Sequence, residues 1–343
     1  MRKQVFLTVI FLCCLSAAQA QADSVRRFVD SAVSLMQRHS LYAKKLNWKV
    51  IRDSATRLSA SASSYEETLP ALRYAFNQLG DKHGWLVINN KDYRNEVLQT
   101  KENRVSPNMT EAASKGPHIY RGVVAGHYAY LSMPFFGGQD TTAMNEFAQR
   151  LQDSLCSGIM PTTKGVILDL RLNAGGNSFP MITGVHNLYG KQQSRKDGKS
   201  FAGDWNVVNN ELRLTETFYV RLQKSCGDLT HLPVAVLIGP VTGSSGEFIA
   251  IGFSTRPKTI LIGEPTAGFT TANEGFELPG KDNGIVLAVS EAMDRNGNFY
   301  PNGVKPAITV HGDDFYNREA DPKIKAAVKW LAKQQRSRNV GRK

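Results

Sequence analysis

Three short segments of this 343-residue chain bring together the residue types that acyl-transfer chemistry uses. In Ala235-Val-Leu-Ile-Gly-Pro-Val-Thr-Gly-Ser244-Ser245-Gly-Glu-Phe-Ile-Ala250, an apolar strand-like run ends at Gly239. A turn of small residues then carries two serines, and an apolar helical run starts at once. A serine there stands at a helix N-terminus, where unbonded N–H groups and the helix dipole favour negative charge. The arrangement resembles a nucleophile elbow without the G-x-S-x-G spelling. The same position also suits a serine, Ser244 or Ser245, that merely caps the helix.

The second segment, Gly165-Val-Ile-Leu-Asp-Leu-Arg-Leu-Asn173-Ala-Gly175-Gly176, runs from a strand into paired glycines. Glycines there let backbone N–H groups approach a ligand closely and form an oxyanion site. The third, Leu79-Gly-Asp81-Lys82-His83-Gly84, holds a histidine in a sharp turn. Imidazole is suited to moving a proton near neutral pH. Six other histidines are present, and a structural role for His83 stands beside the chemical one.

Helices and strands must position these groups. Val25, Phe28, Val29, Ala32 and Met36 recur at helical spacing, as do Trp48, Ile51, Ala55 and Leu58, with Asn47 placed to cap the second helix. A third helix is predicted from Ser64, whose spacing to Glu67 fits a capping box, to Gly80, with Pro70 shifting its start. A small helical bundle buries three such stripes. Beyond a polar stretch, β-rich runs at 118–124, 127–133, 166–170, 234–238, 259–262 and 284–289 alternate with helical stretches at 142–155 and 247–253. That pattern predicts an α/β core. Residues 190–230 read as an insertion loop. The expected organisation is a signal peptide (1–20), a helical N-terminal domain (21–87), a connector (88–117), a catalytic core (118–311) and a basic C-terminal helix or tail (312–343).

Composition narrows the class further. With 41% hydrophobic and 21% charged residues the chain is an ordinary globular protein, which excludes fibrous and wholly disordered readings. The net charge of +12 invites a nucleic-acid reading, but +2 falls on residues 1–20 and +8 on residues 322–343, so the body between is nearly neutral. No nucleic-acid partner is therefore expected. The tail reads as a solvated basic face that could touch an anionic envelope weakly. Arg2 and Lys3, the apolar run to Leu15 and Ala18-Gln19-Ala20 have the layout of a secretory signal, so export to a periplasmic or extracellular space is expected. Cys156 and Cys226 then remain, and an oxidising compartment permits them to pair, which would stabilise by about 4 kcal/mol. Their pairing and the oligomeric state are open at this point.

Taken in order, 79–83, 128–136, 165–176, 236–250, Ile262-Gly-Glu-Pro-Thr-Ala-Gly268 and Gly303-Val-Lys-Pro-Ala-Ile-Thr-Val310 resemble the S41 peptidase family. That family includes the tail-specific and carboxyl-terminal processing proteases and the tricorn core protease. Leu46-Asn-Trp48 is similar to its helical lead-in. The resemblance covers most of residues 45–311 and implies a crotonase- or ClpP-like β-β-α catalytic core behind a small helical N-terminal domain. Only thirty-four residues separate His83 from His118, too few for the PDZ domain that many processing proteases carry.

The resemblance implies Ser244 as nucleophile, three residues before Glu247, with backbone N–H groups of Ser245 and of Gly175 or Gly176 holding the oxyanion. Phe269 stands where the processing proteases place a lysine base, so the tricorn-like branch, with His83 as general base, is the closer match. That branch supports its histidine with a glutamate whose nearest counterpart is Tyr300. Candidate partners for the ring are Asp81, Glu291, Asp294 and Tyr300. The implied activity is an exported serine endopeptidase acting on peptides or proteins, needing neither metal nor organic cofactor. The alternative is a catalytically inactive peptide- or hydrophobic-ligand-binding protein on the same fold.

Overall fold

The structure, a computed structural model, describes residues 2–95, 105–189, 200–201, 207–213, 215–216 and 218–340, with side chains described within 21–335 except at 200–201. The expected signal peptide lies outside the residues with described side chains, and much of the 190–206 stretch lies outside the described residues. In chain order come α1 (Arg2–His39), α2 (Trp48–Leu58), α3 (Leu69–Leu79), β1 (Trp85–Ile88), β2 (Lys91–Arg94), α4 (Pro107–Ser114), β3 (Arg121–Val124), β4 (Tyr128–Ser132), α5 (Thr141–Ser157) and β5 (Gly165–Asp169). There follow α6 (Ser178–Gly184), α7 (His186–Tyr189), β6 (Ser200–Phe201), β7 (Val207–Val208), β8 (Glu211–Arg213), β9 (Tyr219–Arg221), β10 (Val234–Ile238) and α8 (Ser245–Ser254). The last elements are β11 (Thr259–Gly263), β12 (Thr271–Glu277), β13 (Gly284–Ala292), β14 (Ile308–Thr309) and α9 (Pro322–Val340).

Two compact units result. One joins Met1–Lys101 to Thr271–Ser290; the other joins Glu102–Thr270 to Glu291–Lys343. In the first, Asn47 caps α2 by accepting the Val50 N–H at 3.3 Å, and Gly80, with φ +67°, ends α3. Ser64 accepts the Glu67 N–H, while the Glu67 carboxylate turns to the Ser63 N–H, and α3 begins only after a short 3₁₀ turn. The expected apolar stripes are buried: Phe28, Ala32, Met36, Ile51, Ala55, Leu72 and Phe76 share one core. Those helices pack on a sheet as well as on each other, because Leu86, Ile88, Ile285 and Leu287 complete that core. Strands run in the order β12-β13-β1-β2, with β1 antiparallel to both its neighbours. The stretch read as a polar connector contains β2 and α4.

The second unit is built on a sheet ordered β14-β11-β10-β5-β4-β3. The pairs β4–β5, β5–β10, β10–β11 and β11–β14 are parallel, and β3 is antiparallel to β4. Every residue of β5 and β10 is buried, which is why both read as unbroken apolar runs rather than alternating ones. Cys156 in α5 is bonded to Cys226, with Cα atoms 5.6 Å apart.

Helix α9 corrects the picture of a solvated tail. Ile324, Ala327 and Leu331 pack against Tyr128, Tyr130, Ile167 and Leu237 of the sheet. Lys323, counted among the tail cations, is fully buried and paired with Glu264 and Asp313 at 2.7 Å each. An uncompensated buried ammonium would be costly, so those carboxylates fix where the helix starts. Among the described residues no helix is long and apolar enough to cross a membrane.

Candidate active site

The parallel strands set the stage, because loops leaving the carboxyl ends of neighbouring parallel strands converge. Behind β10 the turn is tied to the end of β5: Thr242 Oγ1 accepts from the Gly239 N–H at 3.0 Å and donates to the Leu170 carbonyl at 2.9 Å. The Gly243 N–H donates to the Asn173 carbonyl at 3.0 Å. Ser244 follows with φ +49°, a left-handed conformation that costs a non-glycine residue energy and is retained where the surroundings over-determine it.

The two serines differ in environment. Ser245 is buried, and its hydroxyl donates to the Gly176 carbonyl at 2.5 Å. Ser244 is partly exposed at the mouth of the turn. Ser244 also serves as the helix cap, its side chain accepting from the Glu247 N–H in a capping box, a role that leaves its hydroxyl hydrogen uncommitted; of the pair it is the more exposed.

Gly175 and Gly176 have φ values of +117° and +97°. A Cβ on Gly175 would lie 2.6 Å from Ser244 Cβ, and one on Gly176 would lie 2.1 Å from the Phe136 carbonyl oxygen. Both positions therefore need the missing side chain as well as the unusual backbone. Gly175 corrects the expectation that either glycine serves equally, because its N–H donates to Asn173 Oδ1 at 3.0 Å. The N–H groups of Gly176 and Ser245 meet no acceptor among the described residues.

Glu247 fixes the elbow from below. Fully buried, its carboxylate accepts from the N–H groups of Ser244 (2.9 Å), Gly268 (2.8 Å) and Phe269 (2.7 Å), and from the Thr266 hydroxyl. The Thr266 oxygen accepts from Val304 N–H, so its own hydrogen is free to point at Glu247. Burial pushes the Glu247 carboxyl upward, while these four hydrogen bonds hold it down. All four partners donate, which is the pattern of an ionised carboxylate. Phe269, which stands in the position matched to a lysine, contributes its backbone to this cradle.

His83 belongs to the first unit and is half-buried there. Its Nδ1 lies 2.8 Å from Thr271 Oγ1. Asn273 Nδ2 donates to the His83 carbonyl at 3.0 Å, which orients the amide so that its Oδ1 accepts the Thr271 hydroxyl at 3.2 Å. Thr271 then has only its lone pairs to offer, so Nδ1 carries the hydrogen and Nε2 is the acceptor nitrogen of the ring. Burial first, and then the charge of Arg94, pull the His83 pKa from 6.5 to about 4 against a hydrogen bond to the Thr271 backbone. Lys82 is exposed.

Three of the four residues named as ring partners, Asp81, Asp294 and Tyr300, have their side chains engaged elsewhere. Asp81 is buried and accepts from the N–H groups of His83, Gly84 and Ala288, so it shapes the turn and leaves the ring to Thr271. Asp294 closes its own loop and accepts the Tyr300 hydroxyl at 2.8 Å. Glu291 sits in β13 opposite Ser200. Thr271 and Asn273 lie 188 and 190 residues from His83, and nothing local in the sequence links them to it. Their one signal is the i, i+2 spacing that puts both on the same face of a strand.

The structure thus joins a parallel-strand α/β core, a serine at a strained turn and two main-chain donors that meet no acceptor among the described residues. The model of peptidase family S41 matches residues 127–310, and the chain belongs to that family. The chain is 27% identical over 290 residues to the nisin-resistance protein of Lactococcus lactis subsp. lactis, covering 81% of each. A solved lipoprotein from Streptococcus agalactiae superposes with a TM-score of 0.66 at 20% identity, over 91% of this chain and 97% of that one. The photosystem II D1 C-terminal processing protease gives a TM-score of 0.52 at 13% identity, over 84% and 93%. The fold is thus the α/β peptidase fold of the family, with a helical N-terminal region.

Proposed function

We propose that the protein is an exported serine endopeptidase in which Ser244 is the nucleophile and His83 the general base. The observation that carries this reading is the contrast between the two serines: the Ser245 hydroxyl donates its hydrogen to the Gly176 carbonyl, whereas Ser244 accepts in the capping box and is partly exposed in a strained elbow. In the proposed reaction Nε2 of His83 takes the Ser244 proton as Oγ attacks the peptide carbonyl carbon. The displaced electron pair moves to the carbonyl oxygen, stabilised by the N–H groups of Gly176 and Ser245. Collapse expels the amine with the proton returned from His83, and water releases the acyl group by the same steps in reverse order. Mutation of an oxyanion donor in such sites costs about 10²–10³-fold.

Export rests on the basic and apolar leader sequence and on the Cys156–Cys226 bond, which suits an oxidising compartment. The names of the lactococcal and streptococcal relatives agree with a place outside the cytoplasm, and nisin is the first peptide to offer as substrate. Stoichiometric fluorophosphonate labelling that disappears in Ser244→Ala, together with peptide hydrolysis lost in Ser244→Ala and His83→Ala, is the expected result. Unchanged turnover in either variant removes that residue from the mechanism. The neutral Thr271 behind His83, where a carboxylate is usual, favours a second reading: a peptide-binding protein without turnover. Absence of labelling under conditions that label an active serine hydrolase selects that reading.

A further inference from the structure

The second unit also contains a cavity of about 260 Å³ that the reaction scheme does not use. It lies beyond the carboxyl ends of β4 and β5, the usual ligand position in an open parallel sheet. Its lining includes Ala174, next to Gly175, and Val241, three residues before Ser244, so it adjoins both loops of the elbow. Tyr120, Phe135 and Tyr316 line it while exposing 44%, 42% and 57% of their surfaces. Among the described residues Phe299 is the one other aromatic so exposed. Clustering of exposed apolar surface around one concavity marks a ligand site.

The charges on its walls are unequally engaged. Arg171 is buried and pairs with Asp169, Asp313 and Asp321 at 2.6–2.9 Å. Lys115 pairs with Glu111 at 3.4 Å and donates to the Tyr316 hydroxyl. His118 is hydrogen-bonded to the Lys115 carbonyl, and Asp314 accepts the N–H groups of Tyr316 and Asn317. Arg318 differs. Its guanidinium rests 4.7 Å from the Tyr130 ring centroid and 5.3 Å from that of Tyr120, and its N–H groups meet no acceptor or acidic partner among the described residues. A guanidinium held by its face on aromatic rings keeps its edge for a planar, bidentate acceptor, which is what a carboxylate offers.

We propose that this cavity is a specificity pocket that takes a large apolar or aromatic side chain of the substrate, with Arg318 binding a carboxylate carried beside it. The volume falls just below the roughly 300–1,000 Å³ of whole small-molecule sites, the right scale for one such side chain and its carboxylate. The pocket deepens the peptidase reading and rests on it for its role. Its occupancy does not depend on turnover.

The test is calorimetric titration of the full chain carrying Ser244→Ala, with N-acetyl-phenylalanine, its primary amide, and N-acetyl-Phe-Glu amide as probes. The free acid is expected to bind at least tenfold more tightly than the amide, and Arg318→Gln is expected to bring the acid down to the affinity of the amide. Recovery by the glutamyl probe assigns the carboxylate to a substrate side chain, and failure to recover assigns it to a chain terminus. Equal binding of acid and amide, a preference that survives Arg318→Gln, or no binding of any probe overturns the proposal. A chain that prefers the acid but cleaves no peptide keeps the pocket and loses the peptidase reading; a chain that cleaves peptides without that preference does the opposite.

Discussion

Thr271 Oγ1 lies 2.8 Å from His83 Nδ1, and the Asn273 amide behind it decides which of the two atoms donates. The relay fixes the histidine tautomer with neutral groups alone. A carboxylate in that place would stabilise the imidazolium that forms as the base takes a proton; a threonine orients the ring and contributes no such charge.

Thr271→Val removes the hydroxyl acceptor, leaving the backbone bond of residue 271 to the ring, while keeping the shape of the side chain. It is expected to lower kcat/KM by about 10²-fold, the lower end of what general-base catalysis contributes. Thr271→Ser is expected to retain most of the activity, since it restores the oxygen. The ¹⁵N shifts of the His83 ring should show Nδ1 protonated in the parent chain and a tautomer mixture in the valine variant. An unaltered tautomer in Thr271→Val would remove this role from Thr271.

The pKa of His83, lowered by burial to about 4, sets an acid limit. Its neutral form persists well below the ordinary 6.5, so the acid limb of kcat/KM belongs near pH 4. Stability follows the same linkage with a definite sign. Between pH 6.5 and 4 the unfolded chain takes up a proton that the folded chain refuses, so stability contributed by this group is present above 6.5 and falls as pH drops towards 4. Activity profiles and thermal unfolding across pH 4–8 check both statements, and a limb at 6.5 would contradict them.

Much of this arrangement is visible in the sequence where the determinant is local. The apolar runs of β5 and β10, the glycine turns and the Ser244-to-Glu247 spacing are contiguous, and the fold places them as expected. The partner of His83 is not visible, because β12 comes from residues near 271 and meets His83 only through tertiary pairing. Which glycine offers its N–H depends on the Asn173 amide, a rotamer rather than a pattern. Lys323 reads as one cation in a basic stripe, yet Asp313, Asp321 and Glu264 gather around it and its neighbours from several loops. Helical spacing shows the face a residue occupies and is silent about what covers that face.

Glu247→Gln exchanges an acceptor for an amide whose NH₂ must face one of the donors that now converge on the carboxylate. Leaving a buried donor without an acceptor costs about 1–3 kcal/mol. Differential scanning calorimetry should record the loss, and fluorophosphonate labelling of Ser244 should slow as the elbow loosens. Unchanged melting and labelling together would show that the carboxylate is dispensable.

Reduction of Cys156–Cys226 opens a loop of 70 residues that ties α5 to the segment after β9. Loss of the crosslink is expected to cost about 2–4 kcal/mol, mainly by releasing entropy in the unfolded chain. The paired Cys156→Ser, Cys226→Ser variant should melt earlier by a matching amount and lose its sensitivity to reductant. A parent chain whose denaturant midpoint is the same with and without reductant would show that the bond contributes nothing to stability.

Gly175→Ala tests the closest approach in the site. The added methyl would fall 2.6 Å from Ser244 Cβ, and the residue would have to hold φ +117°, a region that side chains avoid. Relief can come only from moving the Asn173–Gly176 loop or Ser244 itself. Overpacking of this kind costs about 1–3 kcal/mol, and strain at a forbidden φ adds a similar amount. Because the two loops carry the proposed nucleophile and the proposed oxyanion donors, displacement of either should remove labelling at Ser244 while leaving the far-ultraviolet circular dichroism of the folded chain intact. A variant that labels at the parent rate would mean that Gly175 and Ser244 need not be in contact for the hydroxyl to react.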